Sequence, residues 1–469
     1  MTAAAQLLAG LPPAGTFAGE AARAAMVAPL FLLLFAGAEA WRRLGDPPVE
    51  WTRKAVHTGG GVVAAAFPWF FASHWTVLAL GAAFAAILWG TRRMGLLQSV
   101  HGVARRSEGG LYYPLAIYLV FLVAAPTPAF YLVAILALVV SDTVAALVGT
   151  AYGRITYAVE AGDRRSLEGS AVFFLATFLV VHLPLLLLTD TDRAASVLVA
   201  VQVALIVTFF EAVCLHGSDN LVVPLVTYFL LVKMTPRPAE FIAGQLAAQL
   251  ALVAAVSWVA LRSRVLSVSG AIGATLLFYG AFALGGPEWT VAPALGLLAL
   301  VTFFLPGFRP GPAPQGDYQV AAVFYSTVPA AGLFAANNAL ETLVTGGRTL
   351  GADPLYPAYL GVLAGHLAML RMTWLEPGPE AASLASRARA LGVGLLWVLP
   401  VGLAVWTAGD RAEAAIAAAA VAGVAFCAYA ALRRRREVPR SALWELRLQA
   451  ASSLLALAVV VPAQLLLLR

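Results

Sequence analysis

The sequence predicts an all-α, polytopic transmembrane protein of roughly 15–16 spans in two halves. Three observations carry that expectation: the apolar composition, the recurrence of spanning-length apolar runs, and a one-sided distribution of positive charge. Hydrophobic residues make up 61% of the 469 positions and charged residues 12%, with a mean hydropathy of +0.84. A soluble protein carries about twice that charge to cover its surface.

Apolar runs fall near 24–41, 54–73, 74–91, 112–127, 129–152, 170–189, 196–215 and 220–234. A second series falls near 240–261, 269–285, 290–307, 320–340, 355–375, 390–409, 414–432 and 447–468. The chain divides naturally near 235–240, giving expected domains 1–237 and 238–469. Pro306 to Gly316 is rich in Pro and Gly and reads as a loop. Alternate connections carry 23 and 7 of the 30 lysines and arginines, so the richer set is expected in the cytoplasm and both termini outside. Within that set, Arg433 to Arg436 read as an orientation anchor touching anionic headgroups.

Several function classes drop out at this point. A sequence pI near 9.5 would suit nucleic acid, but membrane topology accounts for the arginines, so no nucleic-acid partner is expected. Met1 to Arg23 does not read as a signal peptide: it lacks a basic start, carries Glu20 and is interrupted by Pro12-Pro13. Cys214 and Cys427 are isolated in apolar runs and suit neither a disulfide framework nor a metal set.

Polar groups inside apolar runs are informative because no water solvates them there. The first cluster is Arg53-Lys54-x-x-His57, followed by Gly59-Gly60-Gly61. Arg53 and His57, four apart, share a helix face. They suit a polyphosphate or lipid phosphate, or equally a topology anchor followed by a glycine packing face. The second is Asp142, Ala146, Gly149 and Gly153, one stripe of a helix, where small residues admit a close backbone or a nucleotide. An aspartate in a membrane helix costs roughly 2.5–3.5 kcal/mol on insertion scales and is retained for a partner such as a metal or proton.

The third cluster, Asp163-Arg164-Arg165-Ser166-Leu167-Glu168-Gly169-Ser170, offers paired guanidinium groups for phosphate oxygens and a Glu168 suited to Mg²⁺. An ordinary helix cap explains Ser166 to Gly169 as well. The fourth holds Glu211, deep in its run, then His216, Asp219, Asn220 and Pro224. Asp219 and Asn220 either cap a helix or complete a Mg²⁺–nucleotide site. All four clusters fall on the expected cytoplasmic side. Together they supply what phosphoryl transfer from a nucleotide requires.

These residues resemble the CTP-dependent polyprenol kinase family, which contains dolichol, phytol and CTP-dependent diacylglycerol kinases. The resemblance rests on Arg53-Lys54-x-x-His57, on Arg105 with Glu108-Gly109-Gly110 and Tyr112-Tyr113-Pro114, and on the Asp142-to-Gly153 stripe. It rests also on Ser166 to Ser170, Glu211, and Asp219-Asn220-x-x-x-Pro224, covering about residues 30–235. It implies transfer of the CTP γ-phosphate to a lipid or isoprenoid hydroxyl with Mg²⁺. It assigns CTP contacts to Asp142, Gly149, Gly153, Arg164, Arg165 and Glu168. The family commonly has lysines where Arg164 and Arg165 stand, and arginine does not reproduce a lysine point contact.

The second half more faintly resembles the membrane family that contains phytyl-phosphate kinase, through Ser269-Gly270-Ala271 and Asp317-Tyr318-Gln319-Val320. That family's acidic signature is reduced here to Met372-Thr373-Trp374-Leu375-Glu376, so this half reads as a degenerate module. His366, Asn337 and Asn338 either line a cavity there or bond between helices.

The expected function is a membrane-embedded, CTP- and Mg²⁺-dependent kinase of a long-chain alcohol such as phytol, geranylgeraniol or a polyprenol, with a cytoplasmic active site. Asp142, Glu211 and His57 are the expected catalytic residues, and Asp142 and Asp219 the expected Mg²⁺ ligands. Arg53, Lys54, Gly149, Gly153, Arg164, Arg165, Glu168 and Asn220 are expected to bind the nucleotide. A lipid cytidylyltransferase and a non-enzymatic transporter are the rivals.

Overall fold

A computed structural model describes residues 11–102, 108–160, 163–263, 266–304, 319–345, 353–374, 383–406, 410–434 and 442–467. The loop expected at Pro306 to Gly316, and Arg105, Asp317, Tyr318, Leu375, Glu376, Arg435 and Arg436, lie outside the described residues. The chain forms two compact units, Met1–Leu246 and Ala247–Arg469.

Unit 1 opens with helices α1 (Phe17–Gly45), α2 (Val49–Ala65), α3 (His74–Arg93), α4 (Gly109–Ala124) and α5 (Pro128–Leu136). A π-helical turn, Ala137–Ser141, joins α5 to α6 (Asp142–Tyr152). An antiparallel hairpin follows, β1 (Thr156–Glu160) and β2 (Asp163–Ser166), then α7 (Leu167–Leu188), α8 (Arg193–Val213) and α9 (Asp219–Met234). The unit boundary falls inside α10 (Ala239–Ser263), nine residues beyond the division expected at 237.

Eleven helices among the described residues are long and apolar enough to cross a membrane, and α4 is a shorter apolar helix. Part of the difference from the expected 15–16 arises where runs are cut or shortened. The run at 54–73 is split into the 17-residue α2 and a single turn, Phe67–Phe70, with Pro68 at the new start. The run at 220–234 forms the 16-residue α9. Both short helices carry site residues.

In unit 1, α8 is the most enclosed span, with 61% of its apolar window buried, whereas α3 lies outermost at 11%. The core gathers on α5 and the π-helical turn, where Tyr131, Ile135, Leu138 and Val139 are fully buried. The Tyr131 hydroxyl donates to the Ala64 carbonyl at 2.9 Å, satisfying its polar tip inside that core. The glycine run of α2 has a packing purpose. A Cβ on Gly61 would collide with Val139 and stand 2.8 Å from the Tyr113 hydroxyl, so only glycine lets α2 lie this close.

Unit 2 contains α11 (Val268–Gly280), α12 (Pro287–Phe304), α13 (Val320–Thr345), α14 (Tyr356–Trp374), α15 (Leu384–Val405), α16 (Arg411–Arg434) and α17 (Ala442–Leu467). Helix α14 is its centre, with Tyr356, Tyr359, Leu360, Ala364, Ala368 and Met369 fully buried. Close helix packing again uses small residues: a Cβ on Gly365 would meet Ala422 at 3.3 Å. Asn337 donates to Asp353 at 2.8 Å, bonding between segments, and His366 lines an apolar cavity of about 90 Å³.

Candidate active site

Lys54 and Asp142 lie 88 positions apart in sequence and meet inside unit 1. The Lys54 ammonium donates to Asp142 Oδ2 at 2.5 Å, with the two side chains 4% and 16% exposed. So shielded a pair is stabilised by mutual attraction and strongly destabilised if either member is removed. His57, one turn further along α2, places Nε2 3.4 Å from the same carboxylate oxygen and 3.2 Å from the Leu138 carbonyl. Both neighbours are acceptors, so Nε2 carries the proton and the neutral ring is basic at Nδ1. Tyr113 supports this helix by donating to the His57 carbonyl at 2.8 Å.

The π-helical turn determines where Asp142 points. One extra residue in a turn rotates everything after it by about 100° relative to a continuous α-helix. Asp142 is the first residue beyond that turn, so the rotation sets which face of α6 presents it to Lys54.

A second ion-pair centre forms around Arg165. Its guanidinium donates to Glu211 Oε1 at 2.5 Å and to Asp219 Oδ2 at 3.4 Å. Burial disfavours that charge, but Glu211 and Asp219 outweigh the cost and hold the guanidinium pKa above its ordinary value. The Arg165 Nε is buried and has no hydrogen-bond partner. Glu211 and Asp219 come together because the chain reverses between α8 and α9 through His216 and Gly217, at φ 55 and 83. The Cys214 thiol in this turn is pushed up to about 12 by burial.

The hairpin carries Arg165 into place. Its register pairs Tyr157 with Arg165 and Ala158 with Arg164. Successive strand residues point to opposite faces. Arg165 therefore turns inward to Glu211, while Arg164 turns outward and donates to Thr156 Oγ1 at 2.7 Å. Both arginines nevertheless line the same cavity.

The hairpin in turn is fastened to α6 and α7. Ser166 caps α7, its Oγ accepting from the Gly169 amide at 3.1 Å. Glu168 accepts from the backbone amides of Arg154 and Ile155 at 2.9 and 3.1 Å, tying the loop after α6 to the start of α7. Gly149 and Gly153 face this junction. A Cβ on Gly153 would run into the Gly149 carbonyl and stand 2.7 Å from Ser166 Cβ. The small stripe thus seats the Ser166–Gly169 turn.

Arg53, Lys54, Asp142, Gly149, Arg164, Arg165, Glu211, Asp219 and Asn220 all line one polar cavity of about 410 Å³. Of the expected site residues, Gly153 and Glu168 support its wall without being part of the lining. His57 lines a neighbouring cavity of about 180 Å³ that shares Arg53 and Asn220 with the first. Glu50 was not singled out by sequence reasoning. It lines the polar cavity and holds Arg53 through a two-pronged pair at 2.5 and 3.0 Å. Its spacing of three from Arg53 on one helix was the available signal.

Among the described residues, no three His, Cys, Asp or Glu side chains gather into a metal set. Asp142 and Asp219 are each engaged by a cation, Lys54 and Arg165. That donor set does not fit a resident metal cage. It fits a Mg²⁺ that arrives on a triphosphate, since such an ion needs only one or two protein carboxylates.

Fold and site define a polytopic membrane protein with a cavity lined by four cations and four carboxylates, adjoining a second cavity. The chain is 36% identical over 190 residues, 40% of its length, to the phytol kinase of Synechocystis sp., of which it covers 81%. It belongs to the phytol kinase family. No protein-family model matches the chain, and no solved structure does.

Proposed function

We propose that unit 1 is a CTP- and Mg²⁺-dependent kinase of a long-chain isoprenoid alcohol, working from the cytoplasmic side. The observation that carries this reading is the polar cavity itself, where Lys54 and Arg165 stand among Asp142, Glu211 and Asp219. A guanidinium that lines the cavity is a natural seat for phosphate oxygens. The likeness to a phytol kinase supports the acceptor class. The excess of lysine and arginine on one set of connections, Arg53, Lys54 and Arg165 among them, supports the cytoplasmic side.

In this reading Lys54, Arg53, Arg164 and Arg165 bind the triphosphate. Asp142 and Asp219 would hold Mg²⁺, which when bound neutralises charge on the phosphate oxygens. The carbinol oxygen attacks the γ-phosphorus, the bond from that phosphorus to the bridging oxygen breaks, and CDP leaves with the electron pair. The hydroxyl proton passes to His57 Nδ1, the ring being held in the required tautomer by Leu138 and Asp142. Phosphoryl transfer of this kind depends mainly on positioning and charge, which suits a site made of ion pairs.

The test is incubation of the purified full chain with γ-labelled CTP, Mg²⁺ and a panel of isoprenols and diacylglycerol. Phosphorylated alcohol and CDP are expected. Release of pyrophosphate would mark a cytidylyltransferase, and the absence of any phosphorylated alcohol across the panel would overturn the reading.

A further inference from the structure

We propose that the neighbouring cavity of unit 1 binds the carbinol end of the acceptor, leaving the rest of its chain in the bilayer. The enzyme then reads the head of the alcohol and is indifferent to its length. This assignment rests on the kinase reading above. Phe35 of α1, Phe84 and Leu88 of α3, and Tyr113 of α4 give the cavity apolar lining; Arg53, His57 and Asn220 supply polar groups, as do His101 and the Arg92–Glu108 pair.

Three observations favour a lipid alcohol as occupant. Arg53 and Asn220 line both cavities, so a hydroxyl here lies beside the phosphate-binding space. The outer wall is the surface of the bundle itself: Trp89 lines the cavity and is 53% exposed, on a helix with 11% of its apolar window buried. The inner wall is stiff, because the Phe84 ring packs on Phe31 and Phe35 at 5.4 and 5.2 Å between centroids. A chain entering from the bilayer meets that wall with its polar end at His57.

Size supplies the specificity. At about 180 Å³ the cavity is well below the roughly 300–1,000 Å³ of sites that enclose a whole drug-sized ligand. A twenty-carbon chain cannot be enclosed in it. Its distal part gains nothing by leaving lipid for protein, because lipid tails are as apolar as leucine.

The test uses the full chain in lipid nanodiscs and a geranylgeraniol carrying a diazirine close to the carbinol. Photolabel is expected on the Phe84–Trp89 stretch, Phe35 or Tyr113, and excess geranylgeraniol should suppress it. Leu88→Trp should raise KM for the alcohol about tenfold while leaving KM for CTP unchanged. Farnesol, geranylgeraniol and a long polyprenol should be turned over with kcat/KM values within about threefold of one another. Label elsewhere or absent, or efficiency that changes steeply with chain length, overturns the proposal. Label at this wall without phosphorylated product leaves the cavity assignment standing and sinks the kinase reading. Product with the label elsewhere does the reverse.

Discussion

Replacing Arg165 by Gln removes the cation that Glu211 and Asp219 share. The three side chains are 16%, 8% and 11% exposed, so solvent does little to screen what is left behind. Removing one partner of such a buried group costs about 3–5 kcal/mol. At roughly 2–4 °C per kcal/mol for a domain of this size, the melting temperature should fall by about 10 °C. Glu211→Gln in the same chain removes one stranded carboxylate, so the double variant should recover much of that loss. Recovery of stability is not recovery of function. Both variants lack the guanidinium proposed to hold phosphate, and each should show KM for CTP raised by at least about tenfold. Tryptophan-fluorescence melting in detergent and steady-state kinetics read the two effects separately. An Arg165→Gln chain that melts with the wild type would refute the buried-pair argument. A double variant with wild-type KM for CTP would refute the phosphate assignment.

Asp142→Asn keeps the shape of its side chain but loses the charge facing Lys54 and His57, and kcat/KM should fall by about 100-fold or more; a fully active variant would remove Asp142 from the site. Gly153→Ala forces a methyl group against the Gly149 carbonyl and Ser166, and should destabilise unit 1 by about 1–3 kcal/mol. Gly149→Ala should cost less, because its nearest contact is the Ser166 hydroxyl at 3.0 Å, and melting temperatures in the reverse order would contradict this packing. The pKa of Cys214 is raised to about 12, so its neutral thiol persists as pH rises and the reactive thiolate appears only near that value. Alkylation of Cys214 at pH 8, followed by mass spectrometry, should run about three orders of magnitude slower than for a free cysteine; rapid labelling would mean that the turn after α8 is open.

Much of unit 1 was legible because membrane placement makes polar residues conspicuous. Lys54, Asp142, Arg165, Glu211 and Asp219 stood out as charges in or beside apolar runs, and the structure brings them into one cavity. The hairpin at 156–166 was not legible. It is two short strands whose arginines read equally well as a loop, and the Glu168 carboxylate that accepts from the Arg154 and Ile155 amides leaves no local pattern. The opposite orientations of Arg164 and Arg165 follow from that register, so they were hidden with it. The glycine stripe was located correctly as a line of close approach, but spacing cannot say what approaches. Here it is the Ser166–Gly169 turn. The π-helical turn before Asp142 also left no sequence signal, since Ala137 to Ser141 would continue an ordinary helix equally well.

The two units differ in how many charged residues line a cavity, and that contrast bears on which of them carries the chemistry. In unit 2 the segment that stands where an acidic signature was sought holds Met372, only 4% exposed, and Thr373. The Thr373 and Tyr429 hydroxyls lie 2.7 Å apart, and Tyr429 donates to Glu445 at 2.7 Å. Glu445 is also paired with Arg433 at 3.4 Å, and Gln449 donates to Thr373 at 3.2 Å. Hydroxyl, carboxylate and guanidinium therefore answer one another across α14, α16 and α17, which is how polar groups join helices in a membrane. The apolar cavity beside His366 holds about 90 Å³. Unit 1 instead arranges four cations and four carboxylates around a cavity of about 410 Å³. That asymmetry supports unit 1 as the catalytic half and unit 2 as a structural or substrate-handling partner. Cutting the chain would disturb α10, so the choice is best tested by Glu445→Gln against Glu211→Gln in the full-length protein. Phosphorylation of the alcohol should be unchanged in the first and fall by at least about tenfold in the second. The opposite result would move the active site to unit 2.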